Sequence, residues 1–238
     1  MTPFSRIKTE VLDLLFPPLC FGCKTEGAFL CARCKTDLRW IPPTCFVCGA
    51  FRPPRKRVPA GRTCSLCQKK THIYAFLSPF SYAQDLVREQ LHSFKYNRVR
   101  SLDAIFAQLL REYLDIYNIN LPKNEVIIPI PLHKSRERTR GFNQSERIAR
   151  RLQEIFPIEF RSDILQKIKP TKPQIELTAS ERRQNVIGTF AVNHPEVIKN
   201  KTVILLDDVK TTGATLEEAA RVLKDAGAKK IWAITIAH

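Results

Sequence analysis

No apolar run in this 238-residue chain approaches the roughly 20 residues that a membrane-spanning helix requires. The N-terminal stretch from Thr2 to Phe16 carries Glu10 and Asp13 inside its apolar pattern and lacks a small-residue cleavage site. It therefore reads as an amphipathic helix, not a secretory signal, and the chain is expected to be cytoplasmic. A Gly-x4-Gly-Lys-Ser/Thr loop is missing, which excludes a P-loop nucleotidase, and so is the three-glycine turn of a dinucleotide fold. No Ser-His-Asp or Cys-His constellation is visible, so a triad-type hydrolase is excluded. Acid is also scarce: 23 Asp and Glu stand against 39 Lys and Arg, for a net charge of +16. What remains is a folded chain, 44% hydrophobic and 26% charged, long enough for one ordinary core and a small second module.

Nor does any cysteine lie outside four C-x-x-C pairs: Cys20/Cys23, Cys31/Cys34, Cys45/Cys48 and Cys64/Cys67. Cytosolic thiols are kept reduced, so disulfides are not the default reading. A C-x-x-C turn aims two thiolates at one tetrahedral centre, and two turns complete a four-cysteine zinc site. A redox dithiol needs only one such pair, whereas four pairs imply two zinc ions. Pairing neighbours gives Cys20, Cys23, Cys31 and Cys34 for one ion and Cys45, Cys48, Cys64 and Cys67 for the other. These close loops of seven and fifteen residues. An interleaved arrangement stays open, at a greater cost in chain closure. With every ligand position filled, both sites are expected to be structural.

The charge is uneven. Residues 1–72 hold 13 Lys and Arg against 4 acids, or +9, and the remainder holds 26 against 19, or +7. The densest run, "RPPRKR", contributes Arg52, Arg55, Lys56 and Arg57. Such a patch attracts polyphosphate or nucleic acid in a salt-dependent way, and these four are the candidate DNA contacts. A generally basic protein would show the same excess without that role. Phe46 and Phe51 are available to stack on single-stranded bases, or equally to form ribbon core.

Two domains are expected. Residues 1–72, the N-terminal helix and a Pro/Cys/Arg-rich stretch with little periodicity, form a metal-stapled double zinc ribbon. Residues 73–238 alternate strands and helices, which predicts an α/β domain built on a doubly wound parallel sheet. "IYAFLSPFSY" reads as a strand or hairpin and "DLVREQLHSFKY" as a short helix. Leu102, Ile105, Phe106, Leu109, Leu110 and Tyr113 form a 3.6-residue stripe that Pro122 closes. "VIIPIPL" is a strand, "HKSRERTRG" a basic loop, and Ile148, Leu152 and Ile155 mark one helix face. "TVILLDD" is a continuous apolar strand, as expected where both faces of a parallel sheet are covered. Leu216, Ala219, Ala220 and Leu223 face inward on the next helix, and "KIWAITIAH" is the last strand.

The stretch "VILLDDVKTTGAT" carries the chemistry. Ligands of open α/β sheets bind at the carboxyl ends of strands, where this one delivers Asp207 and Asp208. Adjacent carboxylates repel and need a partner, such as a sugar diol or a metal ion. The small residues that follow let backbone N–H groups wrap an anion. Thr211, Thr212 and Thr215 add hydroxyls, and a helix N-terminus adds its dipole. A carboxylate pair beside a phosphate cradle suits a ribose 5-phosphate. An ordinary turn capped by Asp and Thr is the plainer alternative.

The same stretch resembles the phosphoribosyl-pyrophosphate (PRPP) signature of type I phosphoribosyltransferases. The resemblance implies that Asp207 and Asp208 hold the ribose 2′- and 3′-hydroxyls. The loop of Val209, Lys210, Thr211, Thr212, Gly213, Ala214 and Thr215 would bind the 5-phosphate. "PLHKSRERTRG" stands where such enzymes bind pyrophosphate, often through backbone amides and a non-proline cis peptide, which makes Leu132, His133 and Lys134 candidates, with Arg136, Arg138 and Arg140 close by. His133 reads as a hydrogen-bonding surface residue before it reads as a catalytic base. "KIKPTKPQIELTASERRQN" matches the loop that closes over PRPP, where Lys172, Arg182 and Arg183 would neutralise departing pyrophosphate, with Lys95 of "FKYNR" a further cation of that kind. Asp207, Asp208, Lys172 and Arg182 are thus the candidate catalytic residues.

The whole order, from double zinc ribbon through "FKYNR", "IPIPLHKSRERTRGFNQS" and "ERRQNVIGTF" to the PRPP motif, resembles the ComF family of competence proteins over residues 11–238. That implies handling of incoming DNA in natural transformation on the cytoplasmic side. A related branch uses DNA as a nutrient. The expected ligands are two structural Zn²⁺ ions, PRPP with Mg²⁺, single-stranded DNA and other competence proteins. An active transferase, passing phosphoribosyl to an unidentified acceptor as in nucleotide salvage, is the alternative reading.

Overall fold

A computed structural model describes residues 17–49, 61–97, 99–171 and 178–238, without the side chains of Ala179, Ser180 and Arg183. The expected N-terminal helix, the basic run Arg52–Arg57, Phe51 and Lys172 lie outside these residues. The described helices are α1 (Ala32–Thr36), α2 (Asp85–Tyr96), α3 (Leu102–Ile116), α4 (Lys134–Arg140), α5 (Gln144–Ile155), α6 (Ala179–Gln184), α7 (Pro195–Ile198) and α8 (Ala214–Asp225). The strands are β1 (Ile73–Leu77), β2 (Glu125–Pro129), β3 (Glu159–Phe160), β4 (Leu165–Lys167), β5 (Phe190–Val192), β6 (Thr202–Leu206) and β7 (Lys230–Ile234).

Five strands form one parallel sheet in the order β1-β7-β6-β2-β3, and β4 and β5 pair antiparallel beside it. The near-continuous apolar strands are explained by burial on both faces. Val126, Ile128, Val203, Leu205, Ile231 and Ala233 point to one side, with Leu216, Ala219 and Leu223 of α8. Ile127, Ile204, Leu206, Trp232 and Ile234 point to the other, under α2, α3 and α5. All five residues of β6 are buried. Each such side chain contributes on the order of 1.5–3 kcal/mol, which makes this strand a firm base for a site at its end.

Two local expectations change. "HKSRERTRG" is not a loop: Lys134–Arg140 is helical, started by His133, whose ring accepts from the Ser135 N–H, and stopped at Gly141 with φ 80°. Its Lys, Arg and Glu residues are good helix formers, and glycine at the end takes the left-handed conformation at no steric cost. The α3 stripe holds, but the helix ends at Ile116 and turns at Asn118, φ 50°, before Pro122 is reached. Of the two readings of "IYAFLSPFSY", the structure takes the strand, β1.

The cysteine-rich segment is fastened to this sheet. The Thr63 N–H donates to the Tyr74 carbonyl at 2.8 Å and Arg62 bridges Ala75 antiparallel, so the ribbon lies along the outer edge of β1. A side chain at Gly61 would run into the Phe76 carbonyl oxygen, 2.1 Å from an added Cβ, which is why this close approach takes glycine. Further along, the Arg39 N–H donates to Gln84 Oε1 at 2.9 Å, the Gln84 amide donates back to the Arg39 carbonyl at 2.8 Å, and Trp40 packs on Phe80.

Candidate phosphoribosyl-binding cleft and zinc centres

The eight thiols gather as neighbours in sequence. The sulfurs of Cys20, Cys23, Cys31 and Cys34 lie within 4.8 Å of one another, and so do those of Cys45, Cys48, Cys64 and Cys67. Cys23 Sγ and Cys31 Sγ are 3.6 Å apart, and Cys48 Sγ and Cys64 Sγ 3.9 Å. A tetrahedron with Zn–S bonds of about 2.3 Å needs S···S of about 3.8 Å, so both tetrads fit zinc. Backbone N–H groups already point at the sulfurs, Cys31 to Cys20 at 3.4 Å and Cys64 to Cys45 at 3.5 Å. The charges show why a cation is needed. The Thr25 hydroxyl and backbone pull Cys23 down to about 6, while burial and the neighbouring sulfurs push Cys34 to about 12. Four adjacent thiolates do not coexist without a central cation. The sequential pairing is thus the one the fold adopts.

The second centre sits at the end of β6. Asp207 N–H donates to the Ile234 carbonyl and Ile236 N–H to the Asp208 carbonyl, both at 3.0 Å, so the acids are held on the extension of β7. Lys95, from α2, places its ammonium 2.9 Å from Asp208 Oδ1, and both side chains are largely buried. Burial pulls Lys95 down, but Asp208 and Asp207 more than offset it and hold its pKa above the ordinary value. Asp207 Oδ1 accepts from Ser145 Oγ at 3.1 Å and from the Asp208 N–H at 2.9 Å. Burial and the Asp208 charge still raise its carboxyl to about 7. Next in sequence, Gly213 (φ 79°) precedes α8 and has no side chain to cap it, and the Thr212 hydroxyl accepts from the Ala214 N–H at 3.4 Å.

These groups line an open cleft of about 840 Å³. Of the residues singled out beforehand, it takes in Asp207–Thr211, Gly213–Thr215, Leu132, Arg136, Arg140 and Lys95. Thr212 turns its hydroxyl to the Ala214 N–H, His133 caps α4, and Lys134 lies exposed. No peptide bond among the described residues is cis. Arg182 lies on α6 away from the cleft lining, and Lys172 with Arg52–Arg57 falls outside the described residues.

Several lining residues have no individual role in the motifs. Lys167 reaches Thr171 at 3.1 Å, and Arg136 donates to the Thr171 carbonyl at 3.0 Å. Burial and Arg136 lower Lys167 to about 8, and burial and Arg140 lower Arg136. Cations that depress one another mark a place short of negative charge. Gln144, with Ser145 on the first turn of α5, accepts from Arg140 at 3.2 Å and leaves its buried amide nitrogen without a partner. Tyr82, His92 and Tyr96 form an aromatic wall, with the last two rings 4.8 Å apart and Arg140 over Tyr96.

Residues 102–238 match the family model described as the phosphoribosyl transferase domain, and residues 11–68 the one described as the double zinc ribbon domain. The chain belongs to the phosphoribosyl transferase domain family. Its relatives share both modules' span. Competence protein F of Haemophilus influenzae is 29% identical over 90% of this chain and 87% of its own length. DNA utilization protein YhgH of Escherichia coli K12 is 26% identical over 93% and 98%, and competence protein ComFC of Bacillus subtilis 27% over 83% and 90%. The double ribbon, the transferase-type sheet and these relatives together give the ComF arrangement expected from the motifs. No helix among the described residues is long and apolar enough to cross a membrane.

The Lys95–Asp208 pair makes a direct prediction. Removing one member of a buried pair costs about 3–5 kcal/mol, because the other charge is stranded. Lys95→Met is therefore expected to lower denaturant stability by that order, and Lys95→Met/Asp208→Asn to recover much of it. A single mutant as stable as wild type would show that the pair carries little weight.

Proposed function

We propose that the chain binds Mg-PRPP in the cleft and single-stranded DNA on its basic ribbon module, as a cytoplasmic protein that handles incoming DNA in natural transformation alongside other competence proteins. The observation that carries the first half is the Asp207/Asp208 pair, fixed by Lys95 and Ser145 in the loop that leads into the N-terminus of α8. In this reading the two acids accept from the ribose hydroxyls, and Val209–Thr215 with the first turn of α8 holds the 5-phosphate. The pyrophosphate lies toward Leu132, His133 and Lys134, with Arg136, Arg140 and Lys167 supplying charge. The magnesium ion arrives with the substrate and neutralises part of its pyrophosphate charge. The DNA half rests on the charge of residues 1–72 and on the competence and DNA-utilization names of the relatives.

Calorimetric titration of the zinc-loaded protein with PRPP and Mg²⁺ tests the cleft. Saturable binding supports the reading, and none at millimolar ligand overturns it. Neutralising Arg52, Arg55, Lys56 and Arg57 together is expected to weaken oligonucleotide binding and flatten its salt dependence by about 0.7 per lost phosphate contact. Unchanged affinity and slope would remove that patch from the interface.

The aromatic wall favours transferase activity as the second reading. The cleft runs past the acids to Tyr82, His92 and Tyr96, which leaves room for an acceptor next to bound phosphoribosyl. Lys172 and Arg182, in the stretch of sequence that follows Lys167, would then stabilise departing pyrophosphate. Pyrophosphate release that depends on an added acceptor would establish it.

A further inference from the structure

The second zinc tetrad and the cleft meet at the ring of Phe46. Phe46 follows the ligand Cys45, yet its ring leaves the ribbon and enters the sheet domain, buried in one cluster with Leu205 and Leu216. It meets Phe76 of β1 edge-on, with ring centroids 5.5 Å apart. The Lys210 ammonium stands 5.1 Å from the Phe46 ring and 5.2 Å from that of Phe76. Gly213, at the other end of the same loop, packs so closely that an added Cβ would come 2.8 Å from Phe46 Cζ. The loop that precedes α8 thus rests on a ring delivered by the ribbon. The Thr212 hydroxyl accepts from the Ala214 N–H at 3.4 Å and the Lys210 N–H donates to the Ala237 carbonyl at 2.9 Å, and the ring supports the loop between these two ties.

We propose that Phe46 is a positioning residue for the anion-binding loop, and that metal in the Cys45 tetrad and ligand in the cleft are thereby linked. The Cys20 tetrad is outside this link. Its aromatic, Phe21, stacks on Phe29 at 5.9 Å, and its charged contact, Lys24 with Glu89, runs to α2. Zinc fixes the C-F-V-C turn and so the height of the Phe46 ring under Gly213. Linkage is reciprocal: an anion that orders the loop must tighten zinc in the second tetrad by the same factor. The nature of the anion rests on the reading above, but the positioning does not.

Hydrogen exchange on the zinc-loaded protein separates the two. Amides of 209–215 are expected to exchange on the order of tenfold faster in Phe46→Ala than in wild type, with two zinc ions retained. Phe46→Leu, which keeps most of the bulk, should fall between them and serves if the alanine variant does not fold. Phe21→Ala should leave these amides unchanged. Equal exchange in wild type and both Phe46 variants overturns the proposal, as does the same acceleration in Phe21→Ala. Chelator-driven zinc release supplies the reciprocal readout. Saturating PRPP should slow one of the two ions in wild type and neither in Phe46→Ala. If wild type binds no PRPP but the exchange pattern holds, the positioning stands and the ligand reading falls.

Discussion

Asp207→Asn is expected to give a more stable protein that no longer binds its ligand. Asp207 is raised to about 7 by burial and by the adjacent Asp208 charge. Its pKa in the unfolded chain is near 3.9, so between about pH 4 and 7 the folded state binds the extra proton and stability falls as pH rises. Above pH 7 the full cost of the buried charge is present, on the order of 4 kcal/mol at about 1.4 kcal/mol per pH unit. The asparagine oxygen keeps the bonds from Ser145 and from the Asp208 N–H, so geometry is retained while the repulsion is gone. Unfolding at pH 5 and pH 8 should show the variant gaining most at pH 8 and clearly less at pH 5, with calorimetry showing loss of PRPP binding. A variant less stable than wild type at pH 8 would mean that Asp207 is not strained. Stability kept at a cost is what a functional site shows.

The second large effect is loss of metal. Structural zinc sites contribute about 10–16 kcal/mol to the folding of small zinc modules. Cys64→Ser is expected to leave one zinc per chain instead of two and to lower Tm by on the order of 10 °C or more, given about 2–4 °C per kcal/mol for a chain of this size. Cys64 is buried and hydrogen-bonds Cys45 through its backbone, so its tetrad has no spare ligand among the described residues. Two zinc ions retained in the variant would show that the tetrads are assigned wrongly.

The zinc pairs and the acidic strand end were legible because their signals are local. Each C-x-x-C turn and the run from Val203 to Thr215 carry their chemistry within a dozen residues. The parallel sheet was legible from continuous apolar strands. The partners were not. Lys95 is one turn on from Leu91, on the buried side of α2, and a lysine on a helix's apolar face signals a charge partner. That this partner is Asp208 depends on how α2 docks across the sheet. Ser145 and Gln144 look like ordinary helix-start residues after the Asn143 cap, and only the fold brings them to Asp207. Phe46 was weighed as a stacking residue or as ribbon core, and it packs in the sheet domain's core instead, because a C-x-x-C turn says nothing of where its middle residues point. The basic segment after His133 reads as a loop because its charges hide good helix formers.

The antiparallel contact along β1 has one more consequence. At the far side of the sheet, β3 is only two residues long and begins with Glu159, so that border offers little to a neighbour. The β1 border is longer and apolar, and what occupies it is the segment Arg62–Thr63 just before Cys64. A bare, apolar strand edge is a template for pairing with other chains. Chains starved of zinc would therefore present a sticky border, and their fate in a cell would be aggregation and clearance, well before any question of catalysis arises.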